Sequence, residues 1–370
     1  MFLFSQNLAE LRKKRGVTQD ELAEFIGVTK ASVSKWENGQ SMPDIQLLPL
    51  LASYFNVTID ELVGYQAQLS KEQIRAAYQS FSAAFAERPF DEVMEESRKM
   101  VKKYYSCYPF LVQICVLWLN HSIELTDKEK QLAIWEEMKR LCRHISANCR
   151  DEGLCNNVRS LQAMIDLQSG KPQEVIESLE EILSPIHCSF QDEGLLTQAY
   201  QMTGQKERAE QFTQMMMYLH LLSLLSLTGQ YLCLYTTEPE KCTEAIRRTD
   251  ALVETYQLKK LNPNAVSNYE FQAALMYCIR QQPEQALARL SEFADCCMEL
   301  LDGPLSLRED AFFDRISVWF EELLLGNQAP RDRRKVVESI FASLEHPLFA
   351  SLAPDPRFVQ IKNRLYSLKD

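Results

Sequence analysis

Glycine is scarce, at 11 of 370 residues. Strand-rich chains need more turn glycines, so a mostly helical protein is expected. No Cys-x-x-Cys pair occurs. The 11 cysteines are odd in number and follow no signal peptide, which favours reduced thiols and a cytoplasmic setting over a disulfide framework. Cys142, His144, Cys149 and Cys155 lack metal-ligand spacing, and Cys142 and Cys149, seven apart on one helix, read as core cysteines, so no metal and no cofactor are expected. The five histidines are scattered, at positions 121, 144, 187, 220 and 346. No phosphate loop and no set of nucleophile, base and orienting group can be assembled, so no enzymatic activity is expected. The apolar stretch from Met215 to Tyr235 is interrupted by His220, Ser223, Ser226, Thr228, Gly229 and Gln230. It reads as a buried helical hairpin and not as a membrane span. Basic residues are also in deficit: 40 Lys and Arg stand against 51 Asp and Glu, a net charge of −11. Taken alone, that balance argues against a surface for phosphates.

What is present is a long chain with 46% hydrophobic residues, enough for two or three domains with sizeable cores. Residues 1–64 form one segment, with four of the glycines and no cysteine. A polar stretch over 65–70 reads as a linker. Ser70-Lys-Glu-Gln73 then has the pattern of a capping box that opens a new helix. Residues 71–370 carry helical periodicity punctuated by prolines.

Within the first segment, a helix is predicted from Ser5 to Arg15, with Leu8 and Leu11 on one face, ending at Gly16. A second opens on the capping box Thr18-Gln-Asp-Glu21, turns Leu22, Ala23 and Ile26 inward, and stops at Gly27. A third is capped by Thr29 and runs from Lys30 to about Asn38, with Val33 and Trp36 inward. Two more follow, near Leu47–Phe55 and after the capping box Thr58-Ile-Asp-Glu61. The turn between the second and third helices is very short and needs positive φ, which Gly27 can supply. Ala23 is small enough for the two helices to touch. This is a helix-turn-helix unit, over about 19–38.

The segment resembles the Cro/repressor-type (XRE) DNA-binding domain. The carrying residues are Leu11-Arg12, Arg15, Thr18-Gln19, Glu21-Leu22-Ala23, Gly27-Val28-Thr29, Val33 to Gly39, Pro43, Leu51-Ala52 and Asp60-Glu61-Leu62. The resemblance implies a five-helix domain whose third helix enters the major groove. Lys30, Ala31, Ser34 and Lys35 would then read bases: lysines donating to guanine, alanine meeting a thymine methyl, serine doing either. It also implies phosphate contacts at Arg12, Gln19 and Asn38. For Lys13 and Lys14, a solvated helix end is an equally good reading.

A repeat runs through the rest. Gly170 and Gly204 are 34 residues apart, each followed by a short turn and a helix start. The same frame fits near Glu240 and Gln281, and more loosely near Arg88 and Lys128. This part resembles a degenerate tetratricopeptide array of about six hairpins, an α-solenoid, with a closing segment near His346–Phe358. By repeat position Asn157, Gln191 and Asn268 fall at equivalent concave places, where side-chain amides could hold an extended peptide. Met215 to Met217 would be either an adaptable surface or core.

The expected whole is an all-α, cytoplasmic transcriptional regulator, resembling the peptide-responsive regulators of Gram-positive bacteria. Its expected partners are a palindromic double-stranded operator, a second copy in a homodimer, and a peptide or protein ligand; no membrane is expected. Two alternatives stay open: an interaction scaffold whose first domain no longer binds DNA, and an antitoxin-like protein that captures a partner. Residues 1–64 hold six Lys and Arg against eight Asp and Glu, so even this segment is acidic. The basic residues cluster at 12–15, 30 and 35, so weak, salt-sensitive non-specific binding is expected.

Overall fold

The structure is a computed structural model that describes residues 4–65, 67–123, 125–184 and 192–366. Among these residues the fold is all-α, with a single isolated bridge between Ser306 and Gln328. The chain divides into two compact units, 1–70 with 98–111 and 71–97 with 112–370.

The first unit begins with α1 (Phe4–Arg15), α2 (Gln19–Ile26) and α3 (Lys30–Glu37). A 3-10 turn (Ile45–Leu47) leads into α4 (Leu48–Phe55), and α5 (Ile59–Val63) follows. Both capping boxes expected here form: Thr18 with Glu21, and Thr58 with Glu61, each threonine accepting the third-residue N–H while the glutamate accepts the threonine N–H. Gly27 takes φ +79° and ends α2, its N–H donating to the carbonyls of Ala23 and Glu24. A side chain there would be strained, which is why glycine stops this helix and allows so short a turn. The core is Phe4, Leu8, Leu22, Ala23, Ile26, Val33, Trp36, Leu51, Ala52, Phe55 and Leu62, with Leu11 half-buried against it.

Three segments precede the middle of the chain: α6 (Lys71–Glu87), α7 (Phe90–Lys103) and α8 (Tyr108–Ser122). The latter part of α7 and the start of α8 group with the first unit. There Gln68 Nε2 donates to the Ser106 carbonyl at 3.1 Å.

The second unit continues through α9 (Lys128–Asn148), α10 (Glu152–Gln168), α11 (Pro172–Leu179), α12 (Asp192–Met202) and α13 (Lys206–Leu234). Then come α14 (Pro239–Thr255), α15 (Leu258–Leu261), α16 (Pro263–Ile279) and α17 (Pro283–Leu301). The chain ends on α18 (Ser317–Glu322), α19 (Arg333–Leu344), a 3-10 segment (Pro347–Leu352) and α20 (Pro356–Tyr366). Neighbours in sequence pack together: α9 on α10, α10 on α11, α12 on α13, α13 on α14, and α16 on α17. All six sequence positions of the repeat frame fall at or beside helix starts. Three turns share one design. Gly170, Gly204 and Gln281 take φ of +71°, +75° and +55°, and the next N–H reaches back to the carbonyls of Asp166, Tyr200 and Tyr277. Gln281 holds this conformation without glycine's freedom.

Residues 215–235 depart from the expected hairpin. All but the last lie in α13, which is continuous over 29 residues and ends at Leu234. Gly229 is not a turn: it sits inside the helix, where an added Cβ would approach Gln272 Cγ of α16 to 3.3 Å. Glycine there serves close helix approach. Met215, Tyr218, Leu221, Leu225 and Leu232 bury one side of α13 in a core shared with α14, α16 and Phe313. Among the described residues α13 is the helix long and apolar enough to cross a membrane.

The first helix of the second unit is latched to its late irregular segment. The Arg75 guanidinium donates to the carbonyls of Leu323 at 2.7 Å, Leu324 at 3.0 Å and Glu321. Tyr78 Oη donates to the Pro330 carbonyl at 2.8 Å. The three carbonyls held by Arg75 lie at and just after the end of α18, where the helix leaves acceptors over; Leu323 also accepts the Gly326 N–H at 2.9 Å, so the cation adds a charge-assisted bond to that turn. Replacing Arg75 with Ala is expected to cost ~1.5–3 kcal/mol and to speed amide hydrogen exchange across 321–330. Unchanged exchange there would show the latch to be energetically idle.

Candidate nucleic-acid interface

The outer face of α3 is built by subtraction. Val33 and Trp36 are drawn into the core, at 0% and 5% exposure. At 100° per residue, Lys30, Ala31, Ser34 and Lys35 then share an arc of about 140° on the other side. Lys30, Ala31 and Lys35 are exposed and Ser34 is half-buried. All four expected base-reading residues therefore stand on one accessible face. Lys30 Nζ pairs with Asp20 Oδ2 at 2.6 Å, both side chains being mostly exposed. Such a pair is worth little in water, so Lys30 can leave it for a base acceptor at small cost.

The three expected phosphate contacts are placed differently from one another. Arg12 is turned inward. Its Nε and second terminal nitrogen hold Glu37 at 2.5 and 2.9 Å, and the remaining terminal nitrogen donates to the Val17 carbonyl at 2.8 Å. All three guanidinium nitrogens are thus engaged within the fold, and Arg12 acts as a strut between α1 and α3. Gln19 joins it, with Nε2 on Glu37 Oε2 at 2.9 Å. Asn38 is exposed and caps the end of α3, its Nδ2 donating to the Ser34 carbonyl at 2.9 Å. Residues 13–15 remain exposed at the end of α1, and Arg15 lies over the Tyr54 ring at 4.2 Å. The first turn of α2 carries Asp20 and Glu21, which oppose an anion at that helix end.

Glu37 is the residue that sequence reasoning left without a role. It belongs to the resembling segment, yet its partners are 25 and 18 positions away and no periodicity links them. Burial would raise its pKa. The hydrogen bonds from Arg12 and Gln19, with the Arg12 and Lys13 charges, outweigh that and hold it below the ordinary carboxylate range. Arg12 is raised in return, chiefly by its hydrogen bond to Glu37.

Asn157 on α10 and Asn268 on α16 are exposed, and Gln191 lies outside the described residues. The second unit has a cleft of about 690 Å³ elsewhere, among α14 to α17, lined by residues that include Asp250, Glu254, Lys259, Glu270, Arg289 and Glu292. Neither Asn157 nor Asn268 lines it. Arg289 holds both oxygens of Asp250, at 2.8 and 2.7 Å, and Glu270 at 3.1 Å. Burial pushes Glu270 up to about 7 despite the attraction of Arg289.

Comparison with known proteins adds to this geometry. Residues 8–62 match the helix-turn-helix family HTH_3. The chain is 40% identical over 60 residues to the HTH-type transcriptional activator BcrR of Enterococcus faecalis, covering 16% of this chain and 29% of BcrR. It is 32% identical over 68 residues to Antitoxin PezA of Streptococcus pneumoniae, covering 18% and 43%. It is 32% identical over 73 residues to the SPbeta prophage-derived uncharacterized HTH-type transcriptional regulator YonR of Bacillus subtilis, covering 20% and 68%. The chain thus spans less than half of BcrR and PezA. No solved structure matches it.

Two pH experiments follow. The depressed Glu37 stabilises the first unit above the unfolded pKa, and this is lost as pH falls through the folded value. Glu37→Ala is expected to cost about 1.5–3 kcal/mol at pH 7, with the difference from wild type shrinking below about pH 4; a pH-independent difference would contradict the linkage. The raised Glu270 acts oppositely. It favours folding while protonated, and that advantage declines as pH rises from about 5 through about 7. Glu270→Gln should flatten this part of the urea-midpoint profile.

Proposed function

We propose that this chain, which belongs to the helix-turn-helix family, is a sequence-specific DNA-binding transcriptional regulator. It acts as a homodimer, in the cytoplasm and without catalytic activity. The observation that carries the reading is the outward face of α3, where Lys30, Ala31, Ser34 and Lys35 stand together while the inward side of the helix is fixed by Val33, Trp36 and the Arg12–Glu37 pair. A helix presented in this way fits the major groove, with donors and a methyl group offered to base edges. The similarity to BcrR, a transcriptional activator, and to YonR, a transcriptional regulator, supports it.

One such domain offers one reading helix. Two half-sites about 34 Å apart give specific affinity, so a second copy belongs to the mechanism. With Arg12 held inside the fold, phosphate contact falls to exposed groups, namely Lys13, Lys14, Asn38 and backbone N–H groups. The net acidity of the chain then makes occupancy depend on paired, specific contacts. We assign the second unit, a tetratricopeptide-like array of helical hairpins, to sensing a peptide or protein ligand. Its cleft around Arg289 offers charged groups of both signs for such a ligand. A ligand alters DNA binding only by favouring one arrangement of the two reading heads.

Selection of bound duplexes from a random pool tests this, with the full chain and its Lys30→Ala/Lys35→Ala variant. Wild type should enrich a two-fold symmetric sequence. The variant should lose ~1–3 kcal/mol per base contact. A folded double variant that binds as well as wild type would remove these lysines from base reading. If wild type enriches no sequence at low salt, the reading fails, and an interaction protein with an antitoxin-like partner role takes its place.

A further inference from the structure

We propose that the exposed apolar edge of α13 over residues 224–234 is a homodimer seam, taking the same edge of a second copy of this chain. The inference deepens the regulator reading by naming the surface that would bring two reading heads together.

The edge is one continuous line. Thr213, His220, Leu227 and Leu234 recur every seven residues, and Met217, Leu224 and Tyr231 stand four beyond the first three. On a helix these positions share a side, drifting only about 20° per seven residues. The first part of the line is covered within the chain by α12. Thr197 Oγ1 meets Thr213 Oγ1 at 3.2 Å, and His220 Nε2 meets Glu193 Oε2 at 2.8 Å. Past His220 the cover ends, and Leu224, Leu227, Tyr231 and Leu234 are 49%, 61%, 36% and 77% exposed. The opposite side of the same turns is packed in the core through Leu221, Leu225 and Leu232. Single exposed leucines are ordinary; a line of them is not.

Charge selects the occupant. Residues 211–237 contain no Asp, Glu, Lys or Arg, in a chain of net charge −11. A charged partner or lipid headgroup finds no counter-charge over residues 211–237, and the neighbouring Lys241, over the Tyr235 ring at 4.1 Å, is already paired with Glu238 at 2.6 Å. A second copy meets neutral side chains and that internally balanced pair, so the acidity of the chain does not oppose the contact. A two-fold interface must also be complementary to itself, and apolar residues at alternating spacings of three and four meet that condition. Ten residues of helix rise about 15 Å, too short to supply alone the roughly 800 Å² per partner of a stable interface. Further exposed apolar side chains lie on α12, which packs on α13: Leu195, Leu196 and Met202.

The test is sedimentation equilibrium of the full chain at micromolar concentration, comparing wild type, Leu227→Glu/Leu234→Glu, and Ile279→Glu as a control at an exposed apolar position on α16. Wild type and control should be dimers. The seam variant should dissociate at least ~100-fold more readily with unchanged far-ultraviolet circular dichroism. If the glutamates lower helicity, Leu227→Gln/Leu234→Gln replaces them with the same expectation. The variant should bind an isolated half-site as wild type does and lose only the added affinity for the paired site. A folded seam variant that stays dimeric overturns the proposal. So does a monomeric wild type, and flotation with phosphatidylcholine vesicles would then assign the edge to lipid. If the dimer obeys the seam while no DNA is bound, the surface stands and the regulator reading fails.

Discussion

A shielded ion pair, Arg12 with Glu37, ties α3 to α1, and the outward face of α3 depends on it. Two of its bonds run between α1 and α3, and Gln19 adds a third from α2 to the same carboxylate. Three helices therefore meet on one charged side chain. Apolar packing of Val33 and Trp36 sets which side of α3 is buried, but packing alone is tolerant of small rotations. Charge-assisted hydrogen bonds with fixed geometry are less tolerant. The arginine that resemblance offers to a phosphate here holds Glu37 of the neighbouring helix at 2.5 and 2.9 Å, which preorganises α3.

The second unit is governed by a different constraint. Its helices cannot each bury an apolar face alone, so each depends on a neighbour. α13 stands between α12, α14, α16 and α18 and carries much of that core. Its uncharged run over 211–234 suits a helix with partners on several sides. Beyond His220 the cover from α12 ends, and the same composition leaves an apolar edge in water. The Arg75 latch does similar service for backbone groups, because a cation from α6 bonds the carbonyls of Leu323 and Leu324 just past the end of α18.

Much of the first unit was legible in sequence because its signals are local. Thr18 with Glu21, Thr58 with Glu61, and Gly27 act over four residues or fewer, and each formed as the spacing predicts. The outward face of α3 was legible for the same reason, since helical periodicity separates Val33 and Trp36 from Lys30, Ala31, Ser34 and Lys35. In the second unit the turns at Gly170 and Gly204 were visible. Gly229 misled: a helix-breaking residue in a polar-interrupted run implies a turn, but close approach to Gln272 gives glycine another use inside a continuous helix. The interior role of Arg12 was hidden because its partner lies 25 residues away.

The sequence by itself determined the helical class, the helix ends of the first unit, the face of α3 that avoids the core, and the frame of the hairpin turns. These follow from backbone conformation and period, which a residue and its near neighbours decide. Tertiary structure alone decided that Arg12 is a strut, that α13 is unbroken, that Arg289 gathers two carboxylates in a cleft, and that Leu224 to Leu234 lie bare. Each of those depends on which distant side chain arrives alongside, and whether a charge is paired or a leucine covered is a property of the neighbour as much as of the residue.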